Sequence, residues 1–128
     1  MEFQDGSYDI IGAAMEVHRE IGPGLREKPY ENALIIALRD KGFNPSQQQP
    51  YPIHFRNQIV GDCIPDITVD QYILIDVKSI DKIGENEIAQ MLNYLRIAGL
   101  KLGLVINFKN SKLDFKRVVL GQADLRTD

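Results

Sequence analysis

The sequence predicts an α/β fold in which helices flank a central mixed β-sheet. Three observations carry the prediction. Apolar residues recur at helical spacing over the first forty positions and again from Gly84 to Gly99. Short extended runs separated by turn residues fill the middle, and Leu102-Gly103-Leu104-Val105-Ile106-Asn107-Phe108 is an apolar run whose length and bounding residues favour a buried strand.

In chain order, Ile10, Ile11, Ala14, Val17, His18 and Ile21 share one helical stripe, so a first helix spans Tyr8 to Ile21 and stops at Gly22-Pro23-Gly24. Tyr30, Ala33, Leu34, Ala37, Leu38 and Lys41 mark a second helix that ends at Gly42. The prolines of Gln47-Gln48-Gln49-Pro50-Tyr51-Pro52-Ile53-His54-Phe55 suit an edge strand, and Arg56-Asn57-Gln58 reads as a turn. Ile59-Val60, Ile64 to Val69 and Tyr72 to Ile80 follow as short strands, parted by Gly61-Asp62 and Asp70-Gln71, and predict an antiparallel meander. Ile88, Met91, Leu92, Leu95 and Ala98 restore a helix between Gly84 and Gly99. The buried strand then leads to a last strand through Phe115 to Leu120 and a loose tail from Gly121.

A chain of 128 residues, 44% of them hydrophobic, fits one domain with one core, expected from about residue 8 to 120. The acidic start Met1-Glu2-Phe3-Gln4-Asp5 and the lack of a long apolar run predict a cytoplasmic protein without a membrane partner. A single cysteine, Cys63, excludes an internal disulfide and a cysteine-built zinc site. The net charge of −3 argues against non-specific coating of nucleic acid. From Arg96 to Arg117, however, Arg96, Lys101, Lys109, Lys112, Lys116 and Arg117 face only Asp114, compatible either with a phosphate-facing side or with a solvated face.

Chemistry concentrates at Pro65-Asp66 and at Asp76-Val77-Lys78, which closes the apolar run Tyr72-Ile73-Leu74-Ile75. In an extended segment Leu74, Asp76 and Lys78 share one face while Ile73, Ile75 and Val77 take the other. A random chain of this composition holds roughly one acid-x-Lys triplet, and Asp114-Phe115-Lys116 is a second instance that reads as solvated surface. Asp76 differs because a charge ending a buried strand is costly unless paired or metal-bound. If Asp66 begins a neighbouring strand, two carboxylates beside an ammonium suit a divalent cation and a phosphoester. His54, Cys63 and Asp66 hold the side chains of a cysteine hydrolase, but their spacing has no mechanistic logic. His18 reads as a packing histidine, and Glu16 as a surface acid.

The element order and the acids on the middle strands resemble the core of the PD-(D/E)XK nuclease superfamily, a restriction-endonuclease-like fold of order α-β-β-β-α-β with an added N-terminal helix. Gly24-Leu25-Arg26-Glu27-Lys28-Pro29-Tyr30 resembles the signature of its GxxExxY branch. Ile11 to His18, Ala89 to Leu95 and Leu102 to Phe108 extend the likeness from about residue 8 to 118. The resemblance implies a Mg2+- or Mn2+-dependent nuclease, with DNA the favoured substrate. Asp66, Asp76, the Val77 carbonyl and Glu27 would hold metal, and Lys78 and Gln90 would complete the catalytic set. Tyr94, Tyr30 and Lys101 are candidate substrate contacts. Glu27 also reads as helix-terminal electrostatics, Tyr30 as packing, and Gln90 with Tyr94, four apart, as a polar helix face. The alternative function is an inactive module of this fold that binds nucleic acid or a protein partner. A homodimer would double the basic face.

Overall fold

Alternation along one strand sets the architecture, because its two faces are buried by different helices. In the computed structural model, which describes residues 5–121, the elements run α1 (Ser7–Ile21), α2 (Glu27–Asp40), β1 (Pro45–Gln47), β2 (Tyr51–Phe55), β3 (Gln58–Cys63), β4 (Ile67–Val69), β5 (Ile73–Lys78), α3 (Glu85–Ala98), β6 (Leu102–Asn107) and β7 (Asp114–Val119). Ile73, Ile75 and Val77 of β5 bury against α1 and α2, with Ile10, Val17, Leu34 and Leu38. Leu74 faces the other way, into a smaller cluster with Met91 and Leu95 of α3. The expected division of β5 into two faces is therefore present, and Asp76 and Lys78 lie on the α3 side.

The five-stranded sheet has the order β1-β4-β5-β6-β7, and β2 pairs with β3 in a separate two-stranded ribbon. β5 and β6 are parallel, Ile73 opposite Leu102 and Lys78 opposite Asn107, with α3 as the crossover. The other neighbours are antiparallel. A mixed sheet flanked by helices is thus the observed fold. With the ribbon set aside, α2, β1, β4, β5, α3 and β6 keep the expected order, preceded by α1 and followed by β7.

The meander needs correction. Gly61-Asp62, expected to turn the chain, lies inside β3, which pairs back onto β2 rather than onward to β4. Glycine is weak in a strand but not excluded, and the expected turn at Arg56-Asn57, both at positive φ, is the one that reverses the chain between β2 and β3. Ile64 to Asp66 is a connection, and only Ile67–Val69 forms β4. The Asp70-Gln71 turn holds: both residues have φ of +54°, and Tyr72 N donates to Val69 O at 2.9 Å. The expected loose tail from Gly121 lies, but for Gly121 itself, outside the described residues. Among the described residues, no helix is long and apolar enough to cross a membrane.

Gly103 sets how closely α3 can lie on the sheet. It sits opposite Leu74 on the α3 face of β6, and a Cβ added there would fall 2.7 Å from Met91 Cγ and closer still to its sulfur. Met91 is fully buried, so it has little room to yield. Gly103→Ala is expected to cost about 1–3 kcal/mol by overpacking, read as a lower denaturant midpoint with unchanged slope. An unchanged midpoint would show that α3 shifts freely.

Candidate active site

The site forms where β4 stops short of its neighbour. β4 pairs with β5 only as far as Ile67 opposite Ile75, so the next in-plane backbone groups of β5, those of Val77, lose their strand partner. Asp66, just before β4, fills the gap: its Oδ2 accepts from Val77 N at 2.7 Å. N–H and C=O of one strand residue point to the same edge, so the Val77 carbonyl faces that opening too.

Asp76 is 5% exposed and lies near enough to Asp66 for its charge to act on that carboxyl. Burial first, and then the charge of Asp76, pushes the Asp66 carboxyl up to about 7, against the lowering effect of the Val77 N–H. Lys78 Nζ stands 3.1 Å from Asp76 Oδ2 and donates to Gln90 Oε1 at 3.1 Å. Its approach to Asp76 is an ion pair without hydrogen-bond alignment. Asp76 Oδ2 is the one buried side-chain polar atom without a hydrogen bond among the described residues. Burial alone would depress the Lys78 ammonium, but Asp76, Glu27 and Asp66 outweigh it and hold its pKa above the ordinary value.

Tyr94, one turn beyond Gln90 on α3, is half-buried, and burial followed by the charge of Asp76 pushes its phenol up. Glu27 begins α2 and reaches the end of β5, its Oε2 accepting from Ser79 N at 3.1 Å.

These residues come from α2, the connection into β4, β5 and α3, and their arrangement agrees with a family match over most of the chain: the family model of the PD-(D/E)XK nuclease superfamily matches residues 4–118. The chain belongs to that superfamily. Among solved structures it resembles an alkaline exonuclease from Laribacter hongkongensis, with a TM-score of 0.56 at 12% identity over 96% of this chain and 73% of that one. The crystal structure of SSO0001 gives a TM-score of 0.57 at 12% identity, over 70% of this chain and 48% of that one. The chain thus spans about half the length of SSO0001, and identities this low speak for the fold. Among curated proteins no match is found.

Members of the PD-(D/E)XK superfamily generally use divalent metals, and the donors here fit such an ion. Asp66, Asp76 and the Val77 carbonyl are hard oxygen ligands, and the buried Oδ2 of Asp76, ion-paired with Lys78 but without a hydrogen bond, keeps acceptor capacity. Among the described residues no three His, Cys, Asp or Glu side chains converge closely enough to form a complete cage. Water and substrate oxygens would supply the rest, as is usual for Mg2+.

Two expected contacts lie elsewhere. Tyr30 is fully buried: its ring stacks on Phe108 at 4.6 Å, its hydroxyl donates to Gly22 O at 2.6 Å and accepts from Leu25 N at 3.1 Å. It is a core residue that pins the loop before α2, because an aromatic on the apolar stripe packs inward. Lys101 precedes β6 level with the start of β5, at the opposite end of the strand from Lys78. Nor do the C-terminal basic residues form one face. Lys109 pairs with Asp81, Arg117 pairs with Asp5, and strand alternation sends Lys116 and Arg117 to opposite sides.

Sequence reasoning missed Glu31. This acid is 3% exposed, accepts from Gln47 Nε2 and Gln48 Nε2 at 2.8 Å each, lies 3.4 Å from Lys28 Nζ, and adds its charge to the field on Asp66. The signal was an acid set at helical spacing among Leu34, Ile35 and Leu38. Cys63 is also near: burial and then the charge of Asp76 push its thiol up, so it is not a nucleophile.

A carboxyl whose folded pKa is raised stabilises the fold below its unfolded value and loses that contribution as pH rises through the folded value. In EDTA, Asp66 should therefore make the protein progressively less stable between about pH 4 and 7. The melting temperature of wild type relative to Asp66→Asn should fall across that window; a flat difference would show that burial and the charge of Asp76 do not raise the Asp66 carboxyl. Tyr30→Phe should cost about 0.5–1.5 kcal/mol by removing the hydroxyl that bonds Gly22 O and Leu25 N, seen in chemical denaturation.

Proposed function

We propose that the chain is a divalent-metal-dependent nuclease that hydrolyses phosphodiester bonds of nucleic acid, with DNA the favoured substrate. The observation that carries the reading is the bare, buried Asp76 Oδ2, set beside the protonatable Asp66 and the Lys78 ammonium. Membership of a nuclease superfamily and the likeness to an exonuclease support it.

Asp66, Asp76 and the Val77 carbonyl would hold Mg2+ or Mn2+, with Glu27 reaching the shell through water. Such an ion, when bound, supplies an acidified water and positive charge for the phosphoryl oxygens. The protein's own groups do the rest. Lys78, held protonated by the acids in the resting protein, would meet charge developing on the phosphate. Gln90 fixes the Lys78 ammonium from α3. Tyr94 keeps its proton and flanks the phosphate as a donor. Glu31, bound by Gln47 and Gln48, orients the acid side of the site through Asp66.

Within the superfamily, the GxxExxY branch accounts for the loop before α2. Gly24 has φ of +100°, Glu27 accepts from Ser79 N, and Tyr30 closes the loop on Gly22 and Leu25. The Ser79 hydroxyl donates to Leu25 O at 2.8 Å, so the same loop is stapled to the end of β5.

Purified protein should cleave DNA with Mg2+ or Mn2+ and not with EDTA, and Asp76→Ala and Lys78→Ala should each lower kcat/KM by about 100-fold or more. Single-stranded, duplex and branched DNA and RNA form the substrate panel. Cleavage that survives both substitutions, or no metal-dependent cleavage on any substrate, would sink the proposal.

A further inference from the structure

The β2–β3 ribbon is not needed to complete the sheet, yet it is tied to the site at its base. Tyr51 packs into the cluster under α3 and its hydroxyl lies 2.9 Å from Thr68 Oγ1. Cys63, its register partner, is buried within the electrostatic reach of Asp76. Three residues later the chain delivers Asp66. From Cys63 to Gln58 the strand rises five residues, so the tip stands about 17 Å from the base.

The tip carries surface that packing does not explain. Phe55 is 58% exposed, and the Arg56 guanidinium carbon lies 4.8 Å from its ring centroid. Arg56 and Asn57 occupy the two central turn positions with φ of +51° and +65°. That turn prefers asparagine or glycine at both places, so arginine at the first is a choice against backbone comfort. Between Asp40 and Asp62 the chain has no acid, although it carries 18 in all. An aromatic ring, a guanidinium plane and a tip without acids are what an unpaired base and its phosphate require.

We propose that Phe55 and Arg56 form a stacking platform for an unpaired base of the substrate strand, the length of the ribbon matching about five nucleotides at stacked spacing. The proposal rests on the nuclease reading and gives that site its substrate form, a single strand. Exposed Ile59 and Val60 on the same ribbon make self-association the rival use.

The test compares wild type, Phe55→Ala, Arg56→Asn and the distant control Ile36→Ala on a long single strand and on one too short to reach the tip. Phe55→Ala should raise KM for the long strand about tenfold, leaving kcat and the short strand unchanged. Arg56→Asn should weaken the long strand while holding or raising the melting temperature, which a structural arginine would not do. An abasic nucleotide scanned along the long strand should impair wild type at one position and Phe55→Ala at none. Unchanged KM in both tip variants, or a change in light-scattering mass in place of KM, overturns the proposal. If wild type cleaves nothing, the nuclease reading fails by itself. Anisotropy of a labelled single strand with EDTA-treated protein then decides the platform, and binding equal in wild type and Phe55→Ala overturns it.

Discussion

Two carboxylates forced together at the end of β5 set the terms for everything around them. Asp66 reaches Val77 N because β4 ends at Ile67, and Asp76 cannot turn away because its strand alternation is fixed by Ile75 and Val77 in the opposite core. Asp76 cannot move without unpairing β5, which is buried on both faces, and Asp66 cannot move without giving up Val77 N. The charge is therefore answered locally, by the raised proton affinity of Asp66 and the ammonium of Lys78. A site that demands positive charge in this way is held ready by the packing of the sheet, not by flexible side chains.

The surrounding contacts make that demand rigid. Asn107, fully buried at the end of β6, accepts from Ile80 N at 3.0 Å and donates to Ile80 O at 2.8 Å. Phe108 N donates to Lys78 O at 2.9 Å. The chain leaving β5 is thereby clamped from β6, while Ser79 and Glu27 clamp it from α2. Glu27 thus serves helix-start electrostatics and the site at once, since the same carboxylate at the α2 N-terminus meets Ser79 N. The two readings of that residue are not rivals.

Much of this was legible because local rules and tertiary packing agree. The stripes of α1, α2 and α3, the apolar β6, and the partition of β5 into two faces follow from periodicity alone, and so does the common side of Asp76 and Lys78. The ribbon was misread where local signals compete: Gly61-Asp62 looks like a turn but lies inside β3, and of the two expected turns only Arg56-Asn57 reverses the chain there. Pairing of β1 with β4 across an intervening hairpin is a non-local choice that no short window contains. Glu31 was hidden because its partners, Gln47 and Gln48, are sixteen and seventeen residues away. Lys101 was misplaced because a basic count along the chain carries no register. Only the pairing of Leu102 with Ile73 shows it at the far end.

The protonation of Lys78 follows from the same constraint and narrows the chemistry. A lysine can serve as a base only if its pKa falls toward working pH, which burial favours and nearby anions oppose. Here the anions prevail, with Asp76 foremost. Positive charge arriving between Asp66 and Asp76 would remove part of that field and leave burial acting with less opposition, so Lys78 and the acids are coupled in what they can do. With the pair unneutralised, the lysine is a counter-charge. Were the pair neutralised, Lys78 would lose its pull toward Asp76 and keep its hydrogen bond to Gln90 on the α3 side. Under the proposed reading, the side chain that balances the acids in the resting protein would be the one left to a phosphate.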